Sequence, residues 1–276
     1  RFPNPIYPIY LWTASMQDED LARIDRIWRH GRDHDWNRII IPNVSGRDKE
    51  TGRETKHYIG NTIPWFRFIR GENPGYPERI LEANCELIRR QLAKMRSEAG
   101  DPSRWPEDYN VDDFSSIHIW QEMCPVYFEG LLQLLWGAPM HISHGGLQFA
   151  RVRYFDADRR RPGLPEDVAA LVEALDADSV TLNLVNLHAS DIRSVVVQGG
   201  SFGEHNFVSA EMLSRSGERI GEAEADGKWL CVRLDPGAGI KLKLRMRRYA
   251  NRPSYDTPWS AERTPVRPIR GRAVSD

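Results

Sequence analysis

Cysteine is scarce. There are three in 276 residues, Cys85, Cys124 and Cys231, far apart and without CxxC spacing. An odd, scattered set argues against both a disulfide framework and a structural zinc site. Each cysteine falls in an apolar helical or strand pattern, so each is expected to be a buried small hydrophobe. Charge of one sign is not in excess: 38 basic residues face 39 acidic ones, for a net charge of −1. No global field draws such a chain to nucleic acid or to an anionic membrane, and neither is expected as a partner. No apolar run approaches the roughly 20 residues of a helical membrane span. No charged segment leads into an apolar one in the manner of a signal peptide, and localisation stays open. Also missing are GxSxG, a Walker A loop, a GxGxxG opening a helix after a strand, HExxH and EF-hand spacing, which disfavours serine-hydrolase, P-loop, dinucleotide and zincin chemistry. No cofactor and no metal are expected.

What is present describes a globular protein. Hydrophobic residues make up 40% and charged residues 28%, enough apolar surface to bury a core. The length fits one large or two modest domains. Arginine outnumbers lysine by 32 to 6, and seven of nine tryptophans precede residue 140.

Periodicity divides the chain near residue 146. In residues 1–145 apolar positions recur at helical spacing. A helix is predicted over 18–30, with Leu21, Ile24, Ile27 and Trp28 inward, acidic residues at its start and Gly31 after it. Residues 62–69 read as a short aromatic helix with Pro64 in its first turn. Residues 77–98 carry Leu81, Cys85, Ile88, Leu92 and Met95 on one face, widened by Ile80 and Leu87. Two more helical segments, 115–123 and 126–136, meet at Pro125, the second with Phe128, Leu131, Leu132 and Leu135 inward. From 146 to 250 the period becomes two. Strands are predicted over 147–155, around Val180, Leu182 and Leu184, at 195–197, at 230–234 and at 240–246, with one short helix over 165–175. Residues 251–276 form a Pro- and Arg-rich tail, anchored by Tyr255 and Trp259 and weakly ordered beyond Thr264. The expected fold is α+β: an α-helical N-terminal half, then an antiparallel β-sandwich. The broad apolar helix faces need neighbours. The helical half is therefore expected to be incomplete at its N-terminus, with the missing part of the same chain as a partner.

Five segments offer chemistry. The long loop between Gly31 and Asn61 holds Asp35, Trp36, His57, Tyr58 and Asn61; its alternative role is to pack on itself with Trp36 as plug. His118 and Glu122 share a helix face, flanking Trp120, as an acid/base pair or a hydrogen-bonded polar stripe. His141 and His144 lie between the halves in a Gly- and Pro-flanked loop, a setting that favours substrate binding over metal. The stretch Gly199-Gly200-Ser201 to Glu204-His205 reads as a turn between strands, with Glu204 and His205 toward the helical half. Arg151 and Arg153, on one strand face, suit Asp156 or a substrate carboxylate, and Arg159 to Arg161 read as a solvated turn.

An Arg- and Trp-rich helical half (Trp12, Trp28, Trp36, Trp65, Trp120, Trp136) with the His57-to-Asn61 loop, followed by strands at 179–186 and 194–198, resembles carbohydrate-active enzymes built from an (α/α) toroid plus a β-domain. Heparinase- and alginate-type polysaccharide lyases and several glycosidases have that order. The resemblance implies action on an oligo- or polysaccharide. In lyases of this kind Asn or His lies beside the uronate carboxylate and Tyr or His serves as base and acid; Asn61, His57 and Tyr58 are of those types. A hydrolase version divides acid and base roles between carboxylates such as Asp35 and Glu122. The expected catalytic set is His57, Tyr58, Asn61, Asp35, His118 and Glu122, and the expected substrate-binding set Trp36, Trp120, His144, Arg151 and Arg153. A non-catalytic carbohydrate-binding or interaction module, with the tryptophans as core, is the alternative.

Overall fold

The computed structural model describes residues 6–30, 35–39, 61–98, 101, 124–139, 149–260 and 269–271. Its helices are α1 (Ile6–Ser15), α2 (Asp18–His30), α3 (Thr62–Ile69), α4 (Tyr76–Met95) and α5 (Glu129–Trp136). Ten strands follow: β1 (Val152–Asp156), β2 (Arg161–Pro162), β3 (Val168–Leu175), β4 (Ser179–Asn186), β5 (Arg193–Gly199), β6 (Asn206–Leu213), β7 (Arg219–Gly227), β8 (Trp229–Leu234), β9 (Gly239–Arg247) and β10 (Ile269–Gly271). They make two five-stranded sheets, β10-β8-β5-β1-β2 and β3-β4-β9-β6-β7. The protein is α+β, a helical first half followed by a β-sandwich. Every pairing is antiparallel except that of β10 with β8.

The alternating strands place their apolar residues between the sheets. Val180, Leu182 and Leu184 of β4 lie beside Leu242 and Leu244 of β9, and Val195 and Val197 of β5 beside Leu230, Val232 and Leu234 of β8. This core is continuous with that of the helices, through Trp65, Phe66 and Leu134 to Val172 and Leu175. Two tryptophans sit inside it: Trp65 is fully buried, and Trp12 meets Phe66 edge-on with centroids 5.0 Å apart.

Several sequence expectations are corrected. Residues 165–175 hold no helix; Val168–Leu175 is strand β3, on which α3 and α5 pack. A bulge between Val172 and Ala174 inserts one residue and flips the strand's parity. Val168, Val172 and Leu175 therefore all face inward, at a spacing that imitates a helix. In α4 the buried stripe is Ile80, Asn84, Leu87 and Gln91, while Leu81, Cys85 and Met95 are exposed. Gly130 of α5 turns the helix this way: it donates its N–H to Asn84 Oδ1 at 3.1 Å, and a methyl on it would lie 2.8 Å from Ile80. Cys124 is exposed as well, and Cys231 half-buried. In α5, Leu132 and Leu134 are buried and Phe128 and Leu131 exposed. In the tail Trp259 packs edge-on against Phe155, as expected of an anchor, while beyond Thr264 residues 269–271 pair in register with β8 where weak order was expected. Helix α1 was not foreseen at all; it is apolar nearly all round and shows no amphipathic period. The predicted helix at 115–123 lies outside the described residues.

Candidate functional site

Two clusters of buried polar side chains stand out, one among the helices and one where α1 meets the sandwich.

The first is centred on Glu129, in the first turn of α5 and 1% exposed. Its Oε1 accepts the backbone N–H of Asn61 at 2.6 Å, and its Oε2 accepts Asn61 Nδ2 at 3.0 Å and the Tyr127 hydroxyl at 2.9 Å. Asn61 is the N-cap of α3, so a carboxylate from another helix satisfies a donor that α3 leaves open, at the positive end of its dipole. Tyr76 donates its hydroxyl to Gln133 Oε1, and Thr62 donates to the carbonyl of Pro139 at 2.8 Å. Burial first, and the Glu129 charge second, push the hydroxyl pKa values of Tyr10, Tyr76 and Tyr127 up. All three phenols therefore stay protonated at neutral pH and act as donors.

The second cluster lies at the C-terminal end of α1. Arg151, just before β1, is 2% exposed. Its Nη2 reaches the Thr13 carbonyl at 3.5 Å, and Arg248, just after β9, donates to the next carbonyl, that of Ala14. Helix α1 has no basic residue in its last turn. The two arginines supply that charge from the sandwich, against the negative end of the dipole. Burial, then the Arg248 charge, push the Arg151 pKa down to about 9. His205 follows the turn after β5. Its Nδ1 accepts the N–H of Tyr249 at 3.0 Å, which leaves the ring proton on Nε2. Burial and then the two guanidinium charges lower its pKa to about 3, so the ring is neutral. Glu204 Oε2 accepts the N–H of Phe202 at 2.7 Å, and burial raises its pKa. Its carboxyl lies over Gly200, where a Cβ would sit 2.3 Å from the carboxyl carbon and φ is +82°. Only glycine fits that turn.

Of the expected catalytic residues, Asn61 is buried at the first cluster. Asp35 is exposed, and its Oδ1 accepts the N–H of Asn37 at 3.1 Å, a local turn. His57, Tyr58, His118 and Glu122 lie outside the described residues, as do Trp120 and His144 of the binding set. Trp36 packs edge-on against Trp28, centroids 4.5 Å apart, and Asn37 beside it accepts from Arg67 at 2.7 Å. Arg151 and Arg153 do not act together. Arg153 stacks over Phe155 and donates to the Ser201 carbonyl at 3.3 Å. Neither pairs with Asp156, whose partner is Arg161 at 3.2 Å. Arg159 to Arg161 form the expected exposed turn. Tyr127 and Glu129 were missed because they sit in an apolar run, and Tyr76 because it lies between Gly75 and Pro77 at a turn; Arg248 was missed because it directly follows Arg247 and reads as one more basic residue at the strand's end. Among the described residues no group of three His, Cys, Asp or Glu side chains is placed to hold a metal ion, and no helix is long and apolar enough to cross a membrane.

The fold and the seam define an α+β protein with a buried acidic centre on the helical side and a basic one on the sandwich side. Residues 1–132 match the model of a domain family described as a domain of unknown function (DUF8034), a likeness covering a little under half of the chain. No curated protein and no solved structure matches it.

Proposed function

We propose that the chain is a portion of a carbohydrate-active enzyme that acts on or binds an oligo- or polysaccharide, by lyase-type β-elimination or by hydrolysis. What supports this reading is a buried carboxylate bonded to a phenol among the helices, and a pair of guanidiniums where α1 meets the sandwich. These are side-chain types suited to proton transfer and to carboxylate recognition. In the elimination version Asn61 or His57, with an arginine, neutralises a uronate carboxylate. Tyr58 or His57 then takes the C5 proton while the C4–oxygen bond breaks, leaving a C4–C5 double bond. In the hydrolytic version Asp35 and Glu122, or His118 with Glu122, divide acid and base roles across the sugar.

The test is a screen of the full-length protein against acidic and neutral polysaccharides. Elimination gives product absorbing in the near-UV; hydrolysis gives new reducing ends without that absorbance. Tyr58→Phe is expected to abolish elimination with folding intact, and full activity in that variant rules the elimination version out. A second reading, a non-catalytic carbohydrate-binding or interaction module, draws support from the tryptophans. Trp65 and Trp12 are core, and Trp36 is folded against Trp28. Saccharide binding with neither product would decide for it.

A further inference from the structure

Arg151 is buried to 2% exposure with few partners. Its Nε is buried without a hydrogen-bond partner, as is the Nε of Arg248. Its one hydrogen bond, to Thr13, is long at 3.5 Å. Among the described residues no carboxylate forms an ion pair with either guanidinium, although Glu204 is near enough to be felt. Burying a guanidinium this way costs several kcal/mol, and placing a second one beside it adds to the cost. The terminal carbonyls of α1 occupy one nitrogen of each arginine and carry only partial charge. Glu204 and Asp176 are the carboxylates near enough to act on Arg151, and neither is hydrogen-bonded to it. His205 is neutral and offers Nε2–H as a further donor, and the Glu204 carboxylate is held over Gly200 by the Phe202 N–H. What remains is a group of donors, Arg151, Arg248 and His205, with no carboxylate bonded to either guanidinium.

We infer that this group of donors between the end of α1 and the β5–β6 turn is a binding site for a ligand carboxylate, with Arg151 and Arg248 as its two cationic contacts. Arginine suits that role because its planar fork takes a carboxylate through two N–H groups. The inference deepens the function proposed above only in naming the ligand as the carboxylate of an acidic sugar; the anion site itself stands on the geometry of the arginines.

Thermal melts and calorimetric titrations of the chain with galacturonate, galactose, acetate and inorganic phosphate test it, at low and high salt. Galacturonate is expected to bind and to raise the melting temperature in a concentration-dependent way. Galactose is expected to do neither. Arg248→Gln is expected to weaken galacturonate binding roughly tenfold or more, and Arg219→Gln, on exposed β7, to leave it unchanged. Arg151→Lys serves as the second variant, keeping the charge while removing the fork, and should weaken binding as well. Binding of acetate and phosphate as strongly as galacturonate would uphold the anion site and sink the acidic-sugar assignment. Absence of any anion binding, or binding indifferent to both arginine variants, overturns the site and leaves the arginines as caps of α1 alone; action on a neutral polysaccharide would then still be open to the proposed function.

Discussion

His205 shows what a single residue gains and loses by its place. In the unfolded chain an imidazole titrates near 6.5, whereas here burial and the charges of Arg151 and Arg248 hold it down to about 3. Between those values the unfolded state binds a proton that the folded state refuses, so stability is fully present above about pH 6.5 and drains away as pH falls toward 3. Glu204 opposes this, because its raised pKa makes folding take up a proton on the acid side. The histidine, with its larger shift, sets the sign. Urea midpoints are therefore expected to fall as pH is lowered through this window. His205→Asn, whose side-chain oxygen can still accept the Tyr249 N–H, is expected to flatten that slope; an unchanged slope would locate the acid sensitivity elsewhere. None of this was legible in the sequence beyond the expectation that Glu204 and His205 face the helical half. Their partners, Arg248 and Tyr249, are more than forty residues away (44 from His205 to Tyr249, by the register that brings β6 beside β9).

At the scale of elements, the junction depends on how α5 ends. Gly137 stops the helix in the left-handed conformation, φ +61°, and a Cβ there would lie 3.0 Å from Val172 and 3.3 Å from Leu175 of β3. Gly137→Ala is expected to cost about 2 kcal/mol, from the backbone penalty and the displaced β3 side chains. Chemical denaturation would measure it, and a loss under about 0.5 kcal/mol, the range of an ordinary surface substitution, would show that β3 can yield. Helices α2 and α3 were legible to the residue, since acidic residues open α2 and a first-turn proline opens α3. Strand β3 was not, since its bulge gives a spacing that sequence pattern alone cannot distinguish from a helix. The facing of α4 was not legible either. Its buried side includes Asn84 and Gln91, which a hydrophobicity pattern assigns to solvent, and Asn84 is held inward by the N–H of Gly130.

For the whole molecule, the two halves divide the sequence but not the core. Trp65 and Leu134 belong to the same buried cluster as Val172, Leu182 and Leu244. The Tyr154 hydroxyl ties β1 to the Leu135 carbonyl of α5 at 2.7 Å, and Arg248 ties the end of β9 to α1. Thermal unfolding is accordingly expected to be one cooperative transition, with tryptophan fluorescence, reporting mainly on the helical half, coinciding with the far-UV signal of the sheets. Two separated transitions would mean that the shared core does not couple the halves.

The sequence by itself determined the α+β order, the place where the period changes, the alternating strands of the sandwich and the concentration of tryptophan in the helices, because each is a matter of local spacing. Tertiary structure decided whether those tryptophans line a groove or fill a core, which face of α4 turns inward, and which polar groups meet. Glu129 finds Asn61 and Tyr127, and Arg151 finds Arg248 and the end of α1, through contacts between distant segments. No periodicity encodes such contacts. They follow from which surfaces can be buried together and which charges that burial leaves without a partner.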